Sequence, residues 1–139
     1  MIHVEPQHFE FLALQRGGIS DLAHDFVPWL NAYEASLQAD LRSMLPALPA
    51  EPRWMLDVGG GLSGISAKLN EHYGGINVAV LDGKACAPRI RKHGVPFNNA
   101  TMTSQFLRLN GVQNQIFFDA VRFDRDAFRA GPGHATTSS

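Results

Sequence analysis

At 139 residues, with 45% apolar and 18% charged side chains, the chain is long enough for one domain with its own core and too short for two. Twelve Lys and Arg against thirteen Asp and Glu leave a formal charge of −1, which excludes the global basic field that draws a protein onto DNA, RNA or an anionic membrane. A single cysteine, Cys86, excludes an intrachain disulfide framework and a cysteine-rich zinc site; with no apolar run of membrane-spanning length and acids where a secretory leader would be basic, a reducing, cytoplasmic setting is expected.

Charge is unevenly placed along the chain. Residues 1–58 carry eight acids and three basic groups, and residues 59–118 carry two acids and six basic groups, so the middle either orients an anion or forms an asymmetric solvated surface. Leu22, Phe26, Trp29, Leu30, Tyr33, Leu37, Leu41 and Met44 recur every three or four residues, which predicts helix over 19–45. Ser20 is placed to cap it and Asp21 puts negative charge in its first turn, while Pro28, which lacks an N–H, is expected to kink or divide it. Three prolines make residues 45–52 a connector.

Trp54, Met55, Leu56, Asp57 and Val58 then read as a short buried strand, with Gly59, Gly60, Gly61 and Gly64 directly after it. Ile65, Leu69 and His72 predict a helix that ends near Gly74 and Gly75, and residues 76–81 form a second β-rich run closing at Asp82. Strand, glycine turn, helix and strand make a βαβ unit, whose two strands run parallel. Beyond it, residues 88–93 read as a short basic helix, and Val95, Pro96 and Phe97 as an extended piece. Met102, Phe106, Leu107 and Leu109 read as a helix with Gly111 near its end, and residues 115–118 as a third strand. Residues 131–139 show no apolar periodicity and are expected to be a flexible tail.

Glycines directly after a parallel strand permit a sharp turn and let a nucleotide-like ligand approach backbone N–H groups. Asp57, at the end of the first strand, can accept from an ammonium or anchor the loop. An Asp-Gly pair such as Asp82 and Gly83 is by itself a solvent turn. In this order after the glycine loop, however, Asp82 sits where an ionised carboxylate offers two acceptors to the two hydroxyls of a ribose. Asn98 and Asn99 can line the same crevice or act as turn residues.

On Asp57, Val58, Gly59, Gly60 and Gly61, which fit a DxGxG pattern, the chain resembles the class I S-adenosylmethionine-dependent methyltransferases from about residue 54 to 121. The resemblance implies that Asp57 helps position the methionine ammonium and that the glycines permit close approach. Asp82 would bind the ribose hydroxyls. Asp119, between Phe118 and Ala120, would accept from the adenine amino group. The spacing of Gly59, Gly61 and Gly64 also fits the GxGxxG turn of a dinucleotide-binding protein, but Asp57 and Asp119 favour the methyltransferase comparison.

The expected fold is thus α/β, a Rossmann-like partial parallel sheet with an N-terminal helical extension: residues 1–53 as helices and linker, 54–130 as a truncated methyltransferase-like domain, and 131–139 as the tail. The interval from Asp82 to Asp119 is long for the family. The stretch after Val121 is too short for the remaining strands, so the first strand's outer edge would be left open to a second copy or another partner, to an N-terminal segment folded across it, or to a compact rearrangement. The expected function is an S-adenosylmethionine-dependent methyltransferase or its cofactor-binding half. The alternative is a noncatalytic relative that binds or builds structure. The methyl acceptor and any catalytic residue are not specified. His3, His8, His24 and His72 have no metal-ligand spacing and read as surface or helix-end residues, and Ser63 lacks a nucleophile-elbow pattern.

Overall fold

A computed structural model describes residues 1–15, 25–82, 91–92, 95–96 and 100–119. Helix α1 (Pro6–Gln15) begins at a proline, whose missing N–H costs nothing in a first turn that has no intrahelical acceptors. No strong apolar period marks this helix in the sequence, yet Leu12 is buried and Phe9 packs on the core. Helix α2 (Phe26–Met44) starts at Asp25, whose side chain accepts from the Val27 N–H at 3.3 Å. Pro28 therefore falls within the first turn of α2, where no N–H is needed. Ser20, Asp21 and His24 lie outside the described residues.

The helix-turn signals between the strands hold. Helix α3 (Gly64–Tyr73) comes after the glycine turn and is closed by Gly74 in the left-handed conformation. Helix α4 (Ala100–Leu109) is succeeded by Gly111 at φ 84°. The strands are β1 (Trp54–Val58), β2 (Asn77–Asp82), the two-residue β3 (Arg91–Lys92) and β4 (Val95–Pro96), and β5 (Gln115–Asp119). β1, β2 and β5 form one parallel sheet in that spatial order, with Asp57 opposite Val80 and Asp82 opposite Asp119. The chain is a small α/β domain whose three-stranded parallel sheet is flanked by helices.

Two local expectations fail. Arg91 and Lys92 belong to no helix but pair antiparallel with Pro96 and Val95. Residues 88–90 and 93 of that expected helix lie outside the described residues; a six-residue segment is too short to sustain a helix without tertiary support. β1 is not a buried strand: Trp54, Leu56 and Val58 are 42%, 44% and 66% exposed. Among the described residues it is an edge strand, paired only with β2, and the helices cover the opposite face of the sheet.

That covered face carries the core. Side chains alternate along a strand, so Met55, Val78, Val80 and Phe117 project together toward Leu62, Ala67, Phe106, Leu107 and the α2 stripe of Trp29, Tyr33 and Leu37. Trp29 stacks on Tyr33 at 5.1 Å and receives Phe9 edge-on at 4.7 Å, while Phe26, at the start of the stripe, stays partly in solvent. α1 and α2 therefore share one core with the sheet. Among the described residues, no helix is long and apolar enough to cross a membrane.

Polar groups tie the N-terminal segment down. The Lys68 ammonium is buried and paired with Glu34 of α2 and, at 2.6 Å, with Glu71. Glu34 also accepts from the Ile2 N–H at 2.9 Å, and the Asn110 carboxamide exchanges two hydrogen bonds with the His3 backbone. Hydrogen bonds from Lys68 and from the N-terminal ammonium hold the Glu71 carboxyl down at about 2.

His8 lies in the first turn of α1, a helix end as expected, but it is not on the surface. It is fully buried on α1 with its ring edge-on to Phe106 at 5.5 Å; Nδ1 accepts from the Glu5 N–H at 3.2 Å, and Nε2 has no partner among the described residues. Burial lowers its pKa below the ordinary 6.5, with the Glu5 carboxylate opposing. The neutral ring is therefore the folded form. As pH falls below 6.5 the unfolded chain takes up a proton that the folded chain refuses, so stability declines until the lower, folded pKa is passed. His8→Asn keeps an acceptor near the Glu5 N–H and does not titrate. Urea unfolding between pH 7 and 5 is expected to show a flatter loss of stability in this variant than in the parent; parallel slopes would show that His8 does not set the acid response.

Candidate functional site

The carboxyl ends of the three parallel strands meet at the glycine loop, the end of an open α/β sheet where ligands bind. The Gly59 N–H extends the β1–β2 ladder by donating to the Leu81 carbonyl at 2.9 Å, and the chain then turns through left-handed conformations at Gly59 (φ 67°) and Gly61 (φ 59°). The Ser63 N–H closes the turn on the Gly60 carbonyl at 2.8 Å. Ser63 itself adopts φ 61°, a costly conformation for a residue with a side chain, and its hydroxyl is fully buried without a partner among the described residues. A group with no exposed surface cannot attack a substrate, in keeping with the absence of an elbow pattern around Ser63.

Asp57 is buried beneath this loop. It accepts from the Ser66 hydroxyl at 2.5 Å, and its carboxylate lies so close to the Gly60 Cα that any side chain at position 60 would overlap it. Gly60 is thus required for contact with Asp57, a reason different from the positive φ that selects glycine at 59 and 61. Asp82, at the end of β2, accepts from the Gly61 N–H at 3.1 Å. Asp119 ends β5 directly opposite Asp82 in the register and is partly buried.

Register and alternation place Asp57, Asp82 and Asp119 on one face of the sheet, Asp57 two positions deeper than the other two. All six residues singled out from the sequence, Asp57, Gly59, Gly60, Gly61, Asp82 and Asp119, are therefore brought to one end of the sheet. Asn98 and Asn99 lie outside the described residues. Sequence reasoning misses two further groups: Ser66, on the first turn of α3, which holds Asp57, and Thr103 on α4, whose hydroxyl donates to the Gly61 carbonyl at 2.9 Å. A helical serine or threonine carries no local signal of its partner.

A cavity of about 660 Å³ lies at the opposite, amino end of the sheet, walled by Arg53, Trp54, Asn70, Asn77 and Asn114. Its carboxamides are occupied in structure: Asn77 donates to the Arg53 carbonyl and accepts from Asn114, and Asn70 accepts from the Ile76 N–H at 3.0 Å. The glycine-loop end is chemically different, with three carboxylates on one sheet face, two of them against the backbone turn.

No family model matches the chain, and no curated protein or solved structure matches it.

Proposed function

We propose that this chain is the cofactor-binding half of an S-adenosylmethionine-dependent methyltransferase, its sheet corresponding to the first three strands of a Rossmann-like fold. The observation that carries this reading is the trio Asp57, Asp82 and Asp119 on one sheet face beside the turn at residues 59–61. A ligand seated there meets acceptors and negative charge. Adenosylmethionine presents an ammonium, a sulfonium, two ribose hydroxyls and an adenine amino group as cations or donors, against a single α-carboxylate. A dinucleotide instead presents a doubly anionic pyrophosphate to a loop that already has the Asp57 carboxylate beneath it. The charge balance therefore favours the adenosyl ligand over the literal GxGxxG spacing.

In this reading Asp57 acts mainly by propping the loop, since its carboxylate is engaged with Ser66 and pressed against Gly60. Asp82 shares its carboxylate between the Gly61 N–H and the ribose hydroxyls, and Asp119 takes the adenine amino group. The cofactor, when bound, supplies a methyl group on a positively charged sulfur. The protein's task is then to hold the acceptor in line with that bond. Among the described residues the outer edge of β1 is where an added strand would extend the sheet, and the exposed Trp54, Leu56 and Val58 lie on the sheet face beside that edge. A noncatalytic binding protein would share the crevice and lack turnover.

Calorimetric titration of the full chain with S-adenosylmethionine, S-adenosylhomocysteine and NAD tests the reading. Binding of the two adenosyl ligands with no response to NAD is expected. Tight NAD binding without either adenosyl ligand would reverse the assignment. Methylated product from an acceptor panel would separate enzyme from binding protein.

A further inference from the structure

Thr103 lies on the buried stripe of α4 with Phe106 and Leu107, one turn apart at i, i+3 and i+4. At 1% exposure a threonine in such a stripe passes for core filling. Its hydroxyl, however, donates at 2.9 Å to the carbonyl of Gly61, a residue 42 positions away in the chain and the pivot of the glycine loop. The N–H of that same glycine donates to Asp82 at 3.1 Å. Gly61 is therefore gripped on both its polar groups, from β2 on one side and from α4 on the other, while its φ of 59° has no side chain to stabilise it.

We infer that Thr103 is a positioning residue: its hydroxyl fixes the Gly61 peptide so that the loop's backbone and the Asp82 carboxylate face the ligand in one arrangement. The naming of an adenosyl ligand rests on the proposed methyltransferase function; the clamp itself rests only on these contacts. Without the Thr103 proton, Gly61 keeps one anchor, and a glycine held at one end regains the backbone freedom that makes it suited to the turn. A partly buried carbonyl also loses its donor, which opposes the gain from a more apolar core.

Thr103→Val keeps the side-chain shape and deletes the hydroxyl, and Thr103→Ser keeps the hydroxyl and deletes a methyl. Two measurements on the full-length chain suffice: amide hydrogen exchange across 59–62 without ligand, and calorimetric affinity for S-adenosylhomocysteine. The valine variant is expected to exchange the Gly61 amide faster, with the β2 and α4 amides unchanged, and to bind roughly tenfold more weakly; serine should restore both. Unchanged exchange at Gly61, or acceleration spread evenly over the domain, overturns the clamp. Faster loop exchange with unaltered affinity overturns the positioning role. If the parent chain binds no adenosyl ligand, the proposed function fails on its own account, and the exchange result alone decides the clamp.

Discussion

Gly64→Ala is expected to destabilise the chain by about 2 kcal/mol, although alanine is the better helix former. Gly64 is the first residue of α3 and is buried against α2. A methyl group there would overlap the Tyr33 hydroxyl and reach Leu37 Cδ2 at 3.3 Å. Tyr33 cannot swing aside freely, because its ring is stacked on Trp29 at 5.1 Å and only 4% exposed. Steric overlap in a close-packed interior outweighs helix propensity, so α3 must shift with the loop that precedes it. Tyr33→Phe removes the overlapping oxygen. In a double-mutant cycle tracked by denaturant unfolding, the paired substitution should cost less than the sum of the two singles. A Gly64→Ala variant as stable as the parent would show that α2 does not press on the start of α3.

Substitutions at Asp82 are expected to have the largest effect on binding, and two of them divide its roles. Asp82→Asn retains a side-chain oxygen that can accept from the Gly61 N–H, but it turns the second acceptor into a donor, which in the proposed site would face the ribose hydroxyls. A lost charged acceptor of this kind costs about 1–3 kcal/mol, so affinity for S-adenosylhomocysteine should fall roughly 5-fold to more than 100-fold. Asp82→Ala removes both functions. It should bind at least as weakly and, unlike the asparagine variant, should accelerate hydrogen exchange at Gly61. Far-UV circular dichroism should stay unchanged in both, since the residue ends a strand and contributes no apolar packing. Equal affinity of parent and Asp82→Asn would leave Asp82 as a loop anchor alone and remove the ribose contact from the proposed site.

Acid should weaken the fold in two stages. His8 acts first, below pH 6.5, because its buried ring resists the proton that the unfolded chain accepts. Glu71, held at about 2 by Lys68 and the N-terminal ammonium, acts next: below 4.5 the unfolded chain protonates this carboxyl while the folded chain keeps it ionised, so its contribution is lost as pH falls toward 2. Half-exposure of Glu71 keeps that contribution small.

The three strand positions, the helix after the glycine turn, the helix closed by Gly111, and the gathering of Asp57, residues 59–61, Asp82 and Asp119 at one end of the sheet were all legible in the order of residues. These rest on neighbouring residues: the 3.6-residue apolar period, a short β-rich run, glycine where φ is positive, and the rule that parallel strands send their carboxyl ends the same way. What each polar group touches follows instead from how the elements pack. That Asp57 lies under Gly60 and not toward open solvent, that Thr103 reaches Gly61 across 42 residues, and that Gly64 is selected by Tyr33 depend on which helices pack together. The burial of His8 depends on α1 docking against Phe106, a contact that no local pattern encodes. The exposure of Trp54, Leu56 and Val58 has the same origin. An apolar run reads as a buried strand, but whether it is buried is settled by the layers on either side and the strand beyond its edge, which are properties of the assembled sheet and not of the run.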